Sequence, residues 1–326
     1  MSSTHISNSG HHDTPLVVVV GPTASGKSAL AISLADHFSG EIVSCDSVAV
    51  YRGMEIGTAK PSHKERARVP HHLIDVLAPN APCTAGDYSR LARNAIQEIA
   101  QRDRLPIVCG GTGLYLRALL DGLFPAPPRQ EFLRDKLRQR ALLHGSVRLH
   151  RILNRLDPTA ARLIHTNDIP KIIRAIEVTL AVRQPITQQW EQPRNPLTGF
   201  RVLSLGLNPS RPDLYDRINR RAAQMFESPQ NGGGLVEETA QIVTRYGEDC
   251  RPLSSLGYAQ AASLLRGEIT REQAIAQARQ GHRNYAKRQL TWFRKDPAIR
   301  WLPGFGSDEA VTFQACSLVV QHLKSQ

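Results

Sequence analysis

The chain has 326 residues, 41% of them hydrophobic, which allows one large core with an elaboration, or two domains, and excludes a lone small module. Lys and Arg number 41 against 29 Asp and Glu, giving a net charge of +12, the balance expected of a protein that meets a polyanion such as nucleic acid. Five scattered cysteines without C-x-x-C spacing exclude a disulfide framework or a zinc site, and no apolar stretch reaches the roughly 20 residues of a membrane helix.

Residues 1–14 are polar, lack the apolar segment of a secretory signal and are expected to form a disordered tail, which together with the cysteines fits the cytosol. The apolar run at 16–20 then predicts a buried strand. It feeds directly into Gly21-Pro22-Thr23-Ala24-Ser25-Gly26-Lys27-Ser28, a match to the G-x-x-x-x-G-K-[ST] phosphate-binding loop. Backbone N–H groups of such a loop converge on a pyrophosphate, Lys27 adds a cation and Ser28 a hydroxyl suited to Mg²⁺. The helix expected at 27–37 adds its N-terminal dipole. The loop alone leaves open whether the phosphates belong to a nucleotide such as ATP.

Further strands are expected at 41–45 and 105–109, with a helix at 88–102 between them, which is the rhythm of a parallel sheet covered by helices. Asp46 follows the second strand, at the edge where parallel sheets bind ligands, and is a candidate general base. A cap for the next turn, or a Mg²⁺ held through water, explains it equally well. Thr112, in Gly110-Gly111-Thr112-Gly113, stands at the same edge after the third strand and offers both a donor and an acceptor. The segment 71–75 is a loose strand pattern in which Asp75 is expected to be structural, and His71 and His72 lack metal-ligand spacing.

From Asp121 the character changes to a proline-rich exit followed by basic helical stretches at 131–143, 146–156 and 170–182, closed by prolines at 193 and 196. A strand at 201–207 returns to the sheet, and helices are expected at 211–226, 235–246, 258–265, 271–294 and 308–324, with a flexible break at 230–234. The expected organisation is therefore a tail at 1–14, a discontinuous core at 15–121 and 200–326, and a helical insertion at 122–199. On the helix at 271–294, Arg279, Arg283, Lys287 and Arg294 share one edge at about 100° per residue, a row of cations suited to phosphates.

Four separated motifs together resemble the tRNA dimethylallyltransferase family. They are the phosphate-binding loop, Asp46-Ser47 running into Tyr51-Arg52-Gly53-Met54-Glu55-Ile56-Gly57-Thr58-Ala59-Lys60-Pro61, then Gly110-Gly111-Thr112-Gly113-Leu114-Tyr115, and finally Ala286-Lys287-Arg288-Gln289-Leu290-Thr291-Trp292-Phe293-Arg294. Their order and spacing cover about residues 15 to 302. The resemblance implies an α/β fold with a P-loop NTPase-like parallel sheet, an inserted helical domain and a helical C-terminal region. It implies transfer of a dimethylallyl group from dimethylallyl diphosphate to N6 of adenine 37 in the anticodon stem-loop of tRNA, with Mg²⁺ as cofactor, by a monomer with no membrane attachment. Gly21, Thr23, Ala24, Ser25, Gly26, Lys27 and Ser28 would hold the diphosphate, Arg283 would close over it, and Asp46 would take the N6 proton with help from Thr112. Contacts to tRNA carry over to Asp46, Ser47, Val48, Ala49, Thr112, Arg134, Pro170, Lys171, Ile172, Ile173, Arg174, Gly257, Tyr258 and Lys287. The chain departs from the family at Ala49, where Gln is usual, at Ala259, where a basic residue is usual, and in an extra loop at 228–233. A prenyltransferase of free adenine nucleotides, a small-molecule P-loop kinase and a nucleotide-switched binding module share parts of this pattern.

Overall fold

The computed structural model describes residues 13–227 and 234–325; residues 1–12 of the tail expected at 1–14, and the loop at 228–233, lie outside the described residues. Residues 1–120 with 197–326 form one compact unit, and residues 121–196 form a second.

In the larger unit, Thr14–Val20 (β1) leads through the loop to Lys27–Phe38 (α1) and Gly40–Cys45 (β2), then to His63–Arg68 (α2) and the short His71–His72 (β3). Ala85–Gln101 (α3), Leu105–Gly110 (β4) and Gly113–Leu120 (α4) complete the first stretch. The strand β1 starts two residues earlier than the apolar run indicates, so Thr14 and Pro15 belong to the sheet and not to a tail. The Thr14 N–H donates to Gly199 O, and Pro15, which has no N–H to give, lies opposite Arg201 before the second neighbour of β1 begins at Val17.

The smaller unit holds Glu131–Leu156 (α5), Pro158–Leu163 (α6), Ile169–Val182 (α7) and Ile186–Trp190 (α8). Gly145, at φ 78°, breaks α5 between the two helical stretches expected there. Leu149, Leu153, Ile172, Ile176 and Val178 give this unit its own apolar core.

The chain then returns as Phe200–Leu207 (β5), Arg211–Phe226 (α9), Leu235–Tyr246 (α10), Tyr258–Leu265 (α11), Arg271–Phe293 (α12), Arg300–Leu302 (β6) and Glu309–Lys324 (α13). The six strands run in the order β3-β2-β4-β1-β5-β6 and every pairing is parallel. Buried on both faces, β1 reads as an unbroken apolar run. Val17 and Val19 face a cluster with Leu30 and Leu34 of α1 and Val311 and Val319 of α13. Val18 and Val20 face the opposite cluster with Tyr88, Ile96 and Ile99 of α3.

Candidate active site

Because the strands are parallel, the segments after β1, β2 and β4 leave the sheet at one edge, and they line a cavity of about 550 Å³. Thr23, Ala24, Gly26, Lys27 and Ser28 line it from the first loop, Asp46 and Ala49 from the second, and Gly110 and Gly111 from the third. Helix α9 adds Arg217, Arg220 and Arg221, and α12 adds Tyr285 and Gln289. Asp46 is the one carboxylate among these lining residues.

The phosphate-binding loop is held tightly from behind. Gly26 sits at φ 87° directly before α1, and a Cβ there would come within 2.9 Å of Gly306 N, whose N–H donates to Ser25 O at 2.9 Å. Only glycine satisfies both demands. Two of the expected diphosphate residues do not line the cavity. Gly21 faces Leu207 and the Ser25 hydroxyl, and Ser25 is wholly buried with its N–H donated to Pro22 O. Their part is to shape the loop.

Lys27 Nζ donates to Pro22 O at 2.7 Å. Burial pulls its ammonium down from 10.5 to about 8, with nearby Arg221 adding to the effect and Asp46 opposing it. A bound diphosphate that meets this ammonium is therefore held fully below about pH 8 and more weakly above it, as free Lys27 gives up its proton. The diphosphate Kd of the parent and of Lys27→Gln, measured from about pH 7 to about pH 10, isolates this effect from ionisation of the ligand. Parallel profiles would place the anion away from Lys27.

Asp46 serves two purposes at once. Its Oδ1 accepts the N–H groups of Val48 at 2.8 Å and Ala49 at 3.1 Å, which fixes the turn, while no hydrogen bond among the described residues engages Oδ2. The cap and the free carboxylate oxygen coexist in one side chain. Thr112 Oγ1 accepts the Ser47 N–H at 3.2 Å and joins the second loop to the third. Tyr285 lies beside Thr112, and burial, with the Asp46 charge, pushes its phenol up to about 12, so it stays protonated and able to donate. Gln289 ties the first and third loops together, accepting the Thr23 N–H at 2.7 Å and donating to Gly111 O at 3.0 Å.

Arg283 does not reach the cavity: its guanidinium donates to Asn219 Oδ1 at 2.7 Å and to Gln280 Oε1 at 2.6 Å. Besides Lys27 and Lys60, the Lys and Arg residues that line the cavity come from α9. Arg217, Arg220 and Arg221 are spaced three and four apart and so share one helical face. Asp213 and Asp216, just before them, give that stretch the look of an ordinary solvated helix. No hydrogen bond among the described residues holds Arg221, and burial lowers its pKa against the opposing charge of Asp46.

Several expected tRNA contacts are interior residues. Glu177 is fully buried, and it accepts the Gln130 N–H at 2.7 Å, Arg134 Nη1 at 3.1 Å and Arg174 Nη1 at 2.6 Å. Burial alone would raise its carboxyl, and the Arg174 and Gln130 hydrogen bonds outweigh that and hold it low. Arg134 and Arg174 thus serve the interior of the smaller unit, where Ile172 and Ile173 are core residues. Pro170 and Lys171 are exposed, Lys171 paired with Asp168. Ser47 and Val48 are half-buried.

Tyr258 is fully buried, and its hydroxyl donates to Glu238 at 2.5 Å. Glu238 also accepts the N–H groups of Glu55 and Ile56, both at 2.9 Å to Oε2. Gly257, at φ 88°, sets the start of α11. The ring of Tyr258 is so close to Gly57 that a Cβ there would lie 2.3 Å from it. Gly57→Ala is expected to cost about 1 to 3 kcal/mol by overpacking, read as a lowered midpoint in urea unfolding. An unchanged midpoint would show that the ring moves aside freely.

Residues 49–296 match the sequence profile of the family described as IPP transferase. The tRNA dimethylallyltransferase of Koribacter versatilis is 61% identical over 307 residues, covering 94% of this chain and 98% of its own. That of Solibacter usitatus is 50% identical over 310 residues, covering 95% and 99%. The crystal structure of the full-length tRNA isopentenylpyrophosphate transferase from Bacillus halodurans is similar at a TM-score of 0.70 and 37% identity, covering 95% of this chain and 97% of that one. A eukaryotic dimethylallyltransferase acting on tRNA aligns at a TM-score of 0.79 and 25% identity, covering 96% and 80%. With a P-loop NTPase-like parallel sheet and this match over most of its length, the chain belongs to the IPP transferase family.

Proposed function

We propose that this prenyl transferase moves a dimethylallyl group from dimethylallyl diphosphate to N6 of adenine 37 in the anticodon stem-loop of tRNA. The observation that carries the proposal is the pairing, in one cavity, of a single carboxylate with a free oxygen, Asp46, and the cations Lys27, Arg217, Arg220 and Arg221. The N6 amine attacks C1 of the dimethylallyl group, the C1–O bond breaks, and its electron pair leaves with the diphosphate. Cations fixed where that negative charge develops stabilise the transition state. Asp46 Oδ2 takes the proton that N6 gives up, and Oδ1 keeps the carboxylate aimed through Val48 and Ala49.

The Ser28 hydroxyl is a single oxygen donor on the cavity wall, which fits Mg²⁺, an ion that keeps waters and substrate phosphate oxygens as its other ligands. Ser28 would hold it, and when bound it would neutralise charge on the diphosphate. We take the enzyme to act as a monomer in the cytosol, a compartment that its free thiols fit. No helix of the described residues is long and apolar enough to cross a membrane.

The test supplies labelled dimethylallyl diphosphate with unmodified tRNA and, separately, with AMP. Label is expected in tRNA at adenine 37, with tRNA affinity falling steeply as salt rises, by about 0.7 to 0.9 log units per log salt for each phosphate neutralised. Label in AMP and not in tRNA would overturn the acceptor.

A further inference from the structure

Helix α12 carries a second feature beside its cavity face. At about 100° per residue, Tyr285, Gln289 and Trp292 fall within about 60° of one another, and Arg288 lies about 40° from Trp292 on its other side, with Lys295 in the turn just past the helix end. Trp292 stands at the border between the two. It is 41% exposed, large for the side chain that has most to gain from burial. Its indole rests on Gly113, where a Cβ would come within 2.3 Å of Cδ1 and Nε1, and Gly113 directly follows Thr112. The surface in front of it is a concavity of about 520 Å³ lined by Asn284, Lys287, Arg288, Thr291, Trp292 and Lys295. Three cations and one indole, with no carboxylate among the lining residues, match the two things a single-stranded nucleic acid offers, phosphates and flat bases.

We propose that Trp292 is the stacking platform for a nucleotide adjoining the reacting adenine, with Lys287, Arg288 and Lys295 meeting the phosphates on either side. The proposal rests on the tRNA reading given above. A base drawn out of its stack for chemistry deprives its neighbour of a stacking partner, and an exposed indole at the border of the cavity face replaces it. Gly113 makes room for the indole, since any side chain there would collide with it.

Trp190→Phe combined with Trp301→Phe leaves Trp292 as the sole tryptophan, because the chain has three. Titration with an unmodified anticodon stem-loop RNA is expected to quench its fluorescence. An abasic nucleotide on one side of the target adenine should abolish the quenching, and one on the other side should leave it. Separately, Trp292→Ala is expected to raise the KM for RNA about 5- to 150-fold with kcat and the KM for dimethylallyl diphosphate little changed, and Trp292→Phe to restore most of the loss. Transfer to RNA without quenching, or quenching that survives both abasic substitutions, overturns the stacking alone. No transfer to RNA by the parent enzyme overturns the tRNA reading and this proposal with it.

Discussion

Asp46→Asn is expected to slow the chemical step by roughly 10² to 10⁴ while leaving the fold and most tRNA binding intact. The amide oxygen of Asn reproduces the acceptor for the Val48 and Ala49 N–H groups, so the turn after β2 keeps its shape. The amide nitrogen then occupies the place of the free Oδ2, and it presents hydrogens where the N6 proton must be received. Single-turnover rates at saturating tRNA measure this without interference from product release. An unchanged rate with collapsed tRNA affinity would make Asp46 a positioning residue and put the base elsewhere.

Lys27→Ala is expected to cost about 3 to 4 kcal/mol of transition-state stabilisation, the usual toll for removing one preorganised partner of a developing anion. Three arginines remain in the cavity, so diphosphate still binds, and the loss falls mainly on the rate. The Lys27 Nζ bond to Pro22 O disappears as well, but Gly306 still braces the loop through Ser25 O. A near-parental single-turnover rate would show that the diphosphate sits outside this loop.

Much of the fold is legible because its signals are local. The apolar runs of β1, β2, β4 and β5 stand between loop residues, and α9 is announced by Ser210 with Pro212 directly inside. Where the expectation slips, the signal is short or overlooked. Helix α3 starts at Ala85 and not at 88, because Thr84 and Asp87 form a reciprocal cap. Strand β6, of three residues, is too short for any periodicity to show, while β3 occupies only the first two residues of the loose strand pattern at 71–75. At the site, the phosphate loop, Asp46 and Thr112 are visible since each follows a strand of a parallel sheet. Arg217, Arg220, Arg221, Tyr285 and Gln289 are not, because only tertiary folding brings α9 and α12 to that edge. Tyr258 and Arg134 have structural partners that their motifs do not announce. A motif marks a position as demanding without saying what it demands, and here the demands are a buried hydroxyl for Glu238 and a partner for Glu177.

The place where residues 121–196 leave and rejoin the larger unit bears on how the chain folds. Leu197 N–H donates to Leu120 O at 2.9 Å, so the two ends of the inserted segment are pinned together. Strand β5 must find β1 across the longest separation of any strand pairing among the described residues, and contacts at such separation are slow to form because loop closure precedes any reward. An insertion that collapses first around its own Leu149, Ile172 and Ile176 shortens that search to the span between its two ends. In that order of events a helical unit that supplies none of the strands prepares the completion of the central ladder by bringing β5 within reach of the open edge of β1.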